Sequence, residues 1–284
     1  MNTFTELILA LFGGIFGAYI GGFNAFILCG LFGLIGVAVF MATGDASFLN
    51  NIASGPVFAK HVSFIGGTAA AAYWGKKSRN DLINDNLKMK GTDLYTPLSK
   101  KENLEVLLIG GVFGLVGQAI NLFFDNLNWL AADTGALAVV LAGMLIRLIF
   151  TDVGLSGKNF SFEKRFKDLR LKAIISKAIP AYAIAVLMAS LVEITKVSSV
   201  GYYLGAFSII FIAMGLDMPM LQHIGMVAGF AYLAFNNIWL AGIFGITAFI
   251  LAEVLDRIFN TNADSYMDTI TFSIFIHSVL LLNI

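Results

Sequence analysis

The three histidines are the residues in this sequence best suited to bind a small polar molecule, and two of them stand in matching surroundings. His61 and His223 each precede a short apolar segment, with a glycine six residues further on. A neutral imidazole donates one hydrogen bond and accepts another, which suits a solute that does both. The alternative is that each imidazole bonds a backbone carbonyl where a helix is interrupted, because a broken helix leaves polar groups that need partners.

Polar residues lead into both histidines. The first lead-in contains Asn50, Asn51 and Ser54, and the second, which is shorter, ends at Gln222. Side-chain amides and the ends of broken helices can replace the hydration shell of a solute. We therefore predict that these four residues line a solute pathway with the two histidines, whereas an ordinary exposed loop is the alternative for each lead-in.

The last apolar segment carries polar residues at helical spacing. Asp264, Asp268, Thr271 and Ser278 follow one face, and His277 lies on a neighbouring face. We predict that Thr271 and His277 also line the pathway.

The sequence offers no catalytic or metal-binding set. Two histidines without carboxylate or thiolate neighbours make a poor ligand set for zinc, and no nucleophile stands beside a general base. The lone Cys29 cannot form an intramolecular disulfide. We therefore predict a protein that is not an enzyme and holds no cofactor or metal.

The composition indicates an integral membrane protein. Of the 284 residues, 58% are hydrophobic and only 13% are charged, whereas soluble domains carry about 25% charged residues. The apolar runs are long and do not alternate with polar residues, which favours helices over a barrel. The net charge of zero argues against nucleic acid as a partner and leaves membrane lipid and a small solute.

Ten apolar segments predict an all-α membrane fold of about ten transmembrane helices. The segments are Leu7–Ile20, Ala25–Ala42, Val62–Trp74, Leu104–Phe124, Thr134–Phe150, Ala173–Val192, Val200–Gly215, Ile224–Phe235, Ile238–Leu255 and Thr269–Leu282. From Val62 to Gly75 the third segment spans about 21 Å as a helix, whereas a bilayer core needs about 30 Å. Its polar lead-in is typical of a broken or re-entrant helix.

The basic residues predict the orientation. Loops 75–105 and 151–177 hold seven Lys and Arg each, so 14 of the 18 basic residues lie in two loops. The positive-inside rule places both loops in the cytoplasm. We therefore predict a multi-pass protein of the bacterial inner membrane whose two termini both lie outside the cell.

The two halves of the chain repeat each other. At a spacing of 131 residues, GVFG at 111–114 matches GIFG at 242–245, and at a spacing of 162 residues His61 matches His223. Because a half with five segments ends on the opposite side from its start, the second copy must be inverted.

The predicted repeats are residues 1–157, with a re-entrant element at about 45–61, and residues 158–284, with a re-entrant element at about 217–223.

Five charged residues favour structural roles. Asp133 and Asp264 each precede an apolar run with Thr or Ser next in sequence, which is typical of a helix N-cap. Arg147 lies near a helix end, where its head group can snorkel to the membrane surface. Glu253 suits an ion pair with Arg257, four residues later on the same helix.

The layout resembles that of the bacterial urea transporters over the whole chain. The segment from Asn50 to Gly66, NNIASGPVFAKHVSFIG, also resembles a family of poorly characterised bacterial permeases or small-solute channels. The Pro-rich signature motifs of urea transporters are not in this sequence, so the similarity is one of layout. The resemblance implies passive permeation through each protomer and a homo-oligomer, a trimer by analogy.

The leading hypothesis is therefore a channel that passively conducts small polar solutes such as urea, amides or ammonia between the two repeats. Apart from Asp268, no carboxylate stands centrally in an apolar run, which argues against coupling to protons or sodium. The alternative is a secondary transporter of a small metabolite or anion, with helix N-termini as anion sites.

Overall fold

The computed structural model describes residues 2–101, 103–127 and 131–284, which fold into helices without β-strands. The α-helices are α1 Thr3–Ile20, α2 Gly22–Thr43, α3 Ile65–Arg79, α4 Leu104–Leu127, α5 Thr134–Phe150, α6 Phe162–Phe166, α7 Leu171–Thr195, α8 Val200–Ala213, α9 Gln222–Phe235, α10 Ile238–Phe259 and α11 Thr269–Leu281. Two π-helical turns, Leu49–Ala53 and Lys60–Phe64, and two 3₁₀ turns, Asp85–Leu87 and Leu98–Lys101, complete the described helical structure.

Five of the described helices are long and apolar enough to cross a membrane. They are α1, α2, α4, α10 and the part of α7 from Ile174 to Thr195. The helices α5, α8 and α11 are apolar but shorter. These helices agree with the predicted class, a helical membrane protein.

Helix packing follows one pattern in both parts of the chain. In the first part α1 packs along α4, and α3 contacts both of them. In the second part α7 packs along α10, and α9 contacts both of them. Contacts between the parts join α2 to α8 and α5 to α11.

The third helix is longer than the sequence pattern predicts. The π turn Lys60–Phe64 continues into α3, and the helical stretch ends at Arg79 instead of Trp74. The basic side chains after Trp74 prolong the helix because cations are favourable at a helix C-terminus and because Lys76 donates to the Ile149 carbonyl at 3.2 Å. By contrast, α9 is short, with 14 residues.

The two basic loops meet at one end of the bundle, here named the basic end. Arg79 donates to the Phe150 carbonyl at 2.9 Å, and both Arg79 and Lys158 form ion pairs with Asp264, at 3.6 and 3.2 Å. The opposite end, where α7 ends and α8 begins, is named the far end.

Candidate functional site

A cavity of about 320 Å³ lies near the far end and is named the far cavity. Its walls come from both parts of the chain, because residues before α3 and at the start of α5 face residues at the start of α8. Its polar lining residues include Asn50, Ser54, Lys60, His61, Asn121, Asp133, Ser198 and Ser199.

A buried ion pair forms part of the wall of the far cavity. Lys60 Nζ lies 2.6 Å from Asp133 Oδ2, and the two side chains are only 9% and 12% exposed. The same ammonium lies 5.0 Å from the ring centroid of Tyr202, within the range of a cation–π contact. The Lys60 ammonium has three N–H donors, and the bond to Asp133 uses one of them. The other donors can face the cavity.

Sequence reasoning missed Lys60 as a site residue. Lys60 could have been recognised from its position, because it stands next to His61, outside the two basic loops, in an otherwise apolar stretch.

Asp133 has two roles. Its Oδ1 accepts from Ala136 N–H at 2.7 Å, which confirms the predicted N-cap of α5. Its Oδ2 accepts from Lys60, which the cap prediction did not include. Its own N–H donates to Ser278 Oγ at 2.9 Å, and this bond ties the start of α5 to α11.

The predicted N-cap at Asp264 is wrong. The cap of α11 is Asp268, which accepts from Thr271 N–H at 2.9 Å. Asn260 bonds both the N–H and the carbonyl of Met267, at 3.0 and 2.8 Å, so the segment between them stays non-helical and α11 begins later. Asp264 pairs with basic side chains at the basic end instead.

His61 is 5% exposed and points its Nε2 at Gln118 Oε1, 2.8 Å away. An amide oxygen can only accept, so Nε2 carries the proton and the Nδ1 of a neutral ring is an acceptor. A methyl group added to Gly135 in the cavity wall would lie 3.1 Å from that Nδ1. His61 therefore joins the cavity wall to an amide on α4.

Two glycines position the turn that carries His61. A methyl group added to Gly117 on α4 would lie 1.7 Å from the His61 carbonyl oxygen, and one added to Gly17 on α1 would lie 1.8 Å from that of Ser63. The backbone of the π turn therefore fits between α1 and α4 only where these helices lack a Cβ.

Of the other residues predicted in the first lead-in, two line the far cavity and one does not. Asn50 and Ser54 line the far cavity, and Ser54 Oγ lies 2.6 Å from the hydroxyl of Tyr203. Asn51 instead donates to the Ser47 carbonyl at 3.0 Å on the exposed side of its turn. Asn121 joins the cavity from α4, which no local pattern in the sequence indicated.

A second cavity, of about 580 Å³, is named the basic-end cavity. It contains His223, which therefore does not share a cavity with His61. The apolar walls include Pro180, Ile184 and Phe249, and the polar groups around them include Lys177, Glu253, Asp256 and Tyr266. The neighbouring Gln222 is 2% exposed and lies within 3.7 Å of Met220 Sδ.

The predicted pathway residues of the last helix bond protein groups, and only His277 reaches another helix. His277 Nε2 lies 3.0 Å from Thr247 Oγ1 on α10, and its Nδ1 lies 2.8 Å from the Ser273 carbonyl. Thr271 donates its hydroxyl to Asp268 at 2.5 Å. Neither His277 nor Thr271 is among the residues that line the two cavities.

The snorkelling role predicted for Arg147 is wrong, because its side chain is completely buried. Its guanidinium donates to the Leu155 carbonyl at 2.8 Å, to the Phe259 and Ser265 carbonyls, and to the side chains of Ser265 and Asn260 at 3.1 and 3.2 Å. These acceptors lie beyond α5 and around the end of α10, so the charge finds partners inside the basic end instead of at a membrane surface.

The predicted ion pair of Glu253 with Arg257 is confirmed, at 2.9 Å. Lys177 of α7 also reaches Glu253, at 3.7 Å. Among the residues that the structure describes, no three His, Cys, Asp or Glu side chains are grouped so that they could hold a metal ion.

Residues 1–162 match a protein family of unknown function (DUF7973). This range includes the polar lead-in before His61 and the helices α3, α4 and α5. No curated protein matches the chain, and no solved structure matches it.

Proposed function

Because the chain belongs to the DUF7973 family, whose function is unknown, we propose its function from its own geometry. The protein transports a small polar solute across a membrane, and the far cavity and the basic-end cavity are the two ends of its pathway. The observation that carries this proposal is a pair of cavities at opposite ends of the bundle, each with a buried histidine at the start of a helix.

The separation of the two cavities suits a membrane. Lys177, in the first turns of α7, lines the basic-end cavity, and Ser198, just after α7, lines the far cavity. Of the 20 residues between them, the 18 that belong to α7 span about 27 Å of helix, close to the thickness of a bilayer core, which is about 30 Å.

The matching packing supports ten membrane helices in two inverted repeats. Helices α1 to α5 contact one another in the same pattern as α7 to α11. Across the two halves, α2 contacts its equivalent α8, and α5 contacts its equivalent α11. Asp133-Thr134 and Asp268-Thr269 stand at equivalent starts of α5 and α11. We place the broken helices in the regions 45–61 and 217–223, within the repeats 1–157 and 158–284.

Four aromatic rings connect the walls of the two cavities. Tyr202 of the far cavity contacts Phe26, Phe26 contacts Phe64, and Phe64 contacts Tyr266 of the basic-end cavity, with ring centroids 5.8, 5.4 and 6.5 Å apart. Phe26 and Phe64 are each 1% exposed. Two buried aromatic rings between the walls of the two cavities favour a transporter that opens to one side at a time over a permanently open channel.

The far cavity supplies the polar contacts. The ammonium of Lys60 can donate to a carbonyl or anionic oxygen, while the carboxylate of Asp133 can accept from an N–H or O–H group. Breaking a buried ion pair is costly unless the incoming group replaces the lost partner, so a solute with both kinds of group suits this wall.

A passive channel for urea, amides or ammonia is the second candidate. The uncharged polar side chains of Asn50, Ser54, Asn121, Ser198 and Ser199 in the far cavity favour it. In this case a rotation of the aromatic side chains would open a continuous path.

The test is uptake by proteoliposomes of urea, formamide, acetamide, ammonia, formate and nitrate. We expect uptake of at least one solute above that of empty liposomes, at least tenfold lower in Lys60→Met and unchanged in Lys77→Met. Lys77 is the matched control, because its ion pair with Glu105 at 2.5 Å is partly exposed. Saturable uptake supports the transporter and linear uptake the channel; no uptake of any solute contradicts both.

The proposed setting is the bacterial inner membrane, with the basic end in the cytoplasm. The hydrogen bonds that Lys88 in the loop donates to Asp81 and Asp85 raise the pKa of Lys88 above its usual range, so this loop residue stays cationic. By the positive-inside rule both termini then lie outside. A homo-oligomer, a trimer by analogy with urea transporters, remains part of the proposal.

A further inference from the structure

His223 is a buried polar side chain without a partner. It is 4% exposed, and both ring nitrogens lack a hydrogen-bond partner among the described residues. Leaving a buried polar group unpaired is unfavourable, and buried polar groups in native proteins are nearly always satisfied. Because His223 is among the residues that line the basic-end cavity, a molecule in that cavity can supply one of the missing bonds.

Among the three histidines, only His223 is in this condition. His61 bonds Gln118, and His277 has a partner at each ring nitrogen. At the repeat spacing of 131 residues, the position equivalent to Gln118 is Phe249. Phe249 lines the basic-end cavity, so an apolar ring stands where the first part of the chain supplies an amide.

We propose that the basic-end cavity is a binding site for a small uncharged solute with an amide group, held by a hydrogen bond to a ring nitrogen of His223. A neutral imidazole presents one donor and one acceptor on diverging sides of the ring, so one amide bonds one of them, and an amide has both a carbonyl for the donor and an N–H for the acceptor. This inference deepens the proposed transport function and rests on it for the biological role of the site.

The surrounding residues define the class of solute. Pro180, Ile184 and Phe249 provide apolar walls that accept the hydrocarbon part of an amide. The carboxylate of Asp256 at the cavity repels anions. Lys177 and Glu253, which also line the cavity, are paired with each other, and Glu253 is paired with Arg257 as well, so neither of them offers a free charge to an ionic solute.

The experiment measures binding of acetamide to the purified full chain in detergent, by calorimetric titration and by the shift in unfolding temperature. We expect saturable binding to the wild type, and no response to acetate or ethylamine. His223→Leu should lower the affinity for acetamide at least tenfold. His223→Gln, which keeps a donor and an acceptor, should retain weaker binding.

The unfolding temperature without solute distinguishes this site from a structural histidine. His223→Leu should unfold at or above the wild-type temperature, because it removes an unpaired polar group. His277→Leu is the matched control: it should unfold at a lower temperature and still bind acetamide, because its partners are protein groups. Unfolding of His223→Leu at a temperature as low as that of His277→Leu would overturn the proposal.

Three binding results would also overturn it: no binding of acetamide to the wild type, unchanged binding in His223→Leu, or tighter binding of acetate than of acetamide. Failure of this site is distinguishable from failure of the transport function, because binding is measured in detergent and uptake in liposomes. Uptake that depends on Lys60, without acetamide binding at His223, contradicts this inference alone.

Discussion

At the scale of single residues, the far cavity depends on one pair of opposite charges. Lys60 and Asp133 lie 73 positions apart in sequence and 2.6 Å apart in space. Each is buried enough that its charge needs the other, since transferring an unpaired ion from water to the interior is strongly unfavourable. Asp133 also caps α5, so the same carboxylate connects the structure of a helix start to the charge of the cavity.

Removing either charge alone should destabilise the protein more than removing both. Lys60→Met leaves Asp133 unpaired, and Asp133→Asn leaves Lys60 unpaired while an amide keeps the N-cap. We expect each single variant to lose about 3–5 kcal/mol of unfolding free energy, and the double variant to recover most of it. Unfolding in detergent, analysed as a double-mutant cycle, measures this coupling.

The partly exposed pair of Lys77 and Glu105 is the control for this cycle. Their side chains are 21% and 64% exposed, so solvent screens them, and we expect a coupling energy below about 1 kcal/mol. Additive effects of Lys60→Met and Asp133→Asn would contradict the role assigned to the buried pair.

At the scale of elements, the π turn before α3 is held by its neighbours. It lies against Gly17 of α1 and Gly117 of α4, which both approach its carbonyl oxygens closely. Gln118, next to Gly117, bonds the imidazole of His61. Helix α4 thus fixes both the backbone and the side chain of His61, so the turn and α4 should move together in any change of conformation.

Gly117→Ala should disturb this contact. The new Cβ would lie 1.7 Å from the His61 carbonyl oxygen, so the turn or α4 must shift. We expect a loss of about 1–3 kcal/mol of unfolding free energy and lower solute uptake per folded protein. Thermal unfolding and proteoliposome uptake are the measurements.

Gly143→Ala in α5 is the matched control. A methyl group there meets no atom within 4 Å, and alanine is favoured over glycine within a helix by about 1 kcal/mol. This variant should be as stable as the wild type or more stable. If Gly117→Ala behaves in the same way, the close contact with the π turn does not position His61.

At the scale of the whole molecule, charge defines the two ends of the bundle. Cationic side chains from the two basic loops bond acceptors near one end, namely Arg79 from the first loop and Lys158 and Arg165 from the second. Arg147 is buried beneath them and binds the same region. The concentration of cations at one end is the physical basis of the proposed orientation.

Cysteine labelling in intact cells tests this orientation. In a Cys29→Ala background, a membrane-impermeant maleimide should label Asn2→Cys, whose position is exposed near the start of α1, and should spare Lys88→Cys. Permeabilised cells are the control, since both variants should then be labelled. Labelling of Lys88→Cys in intact cells would place the basic end outside.

Local composition and spacing by themselves determined the helical class, because long apolar runs must satisfy their backbone groups internally. They also determined the cap at Asp133 and the ion pair of Glu253 with Arg257, since both interactions join residues within four positions of each other. His61 and His223 could be recognised as buried candidates because polar residues are scarce in apolar surroundings. Such interactions leave a short-range pattern that a sequence displays directly.

Only the tertiary structure decided which polar groups meet. The pairing of Lys60 with Asp133, the bond of His61 to Gln118 and the buried contacts of Arg147 join residues from distant parts of the chain. The separation of His61 and His223 into two cavities likewise depends on how α3 and α9 pack against their neighbours. These relations follow from the packing of whole helices, and no local spacing encodes that packing.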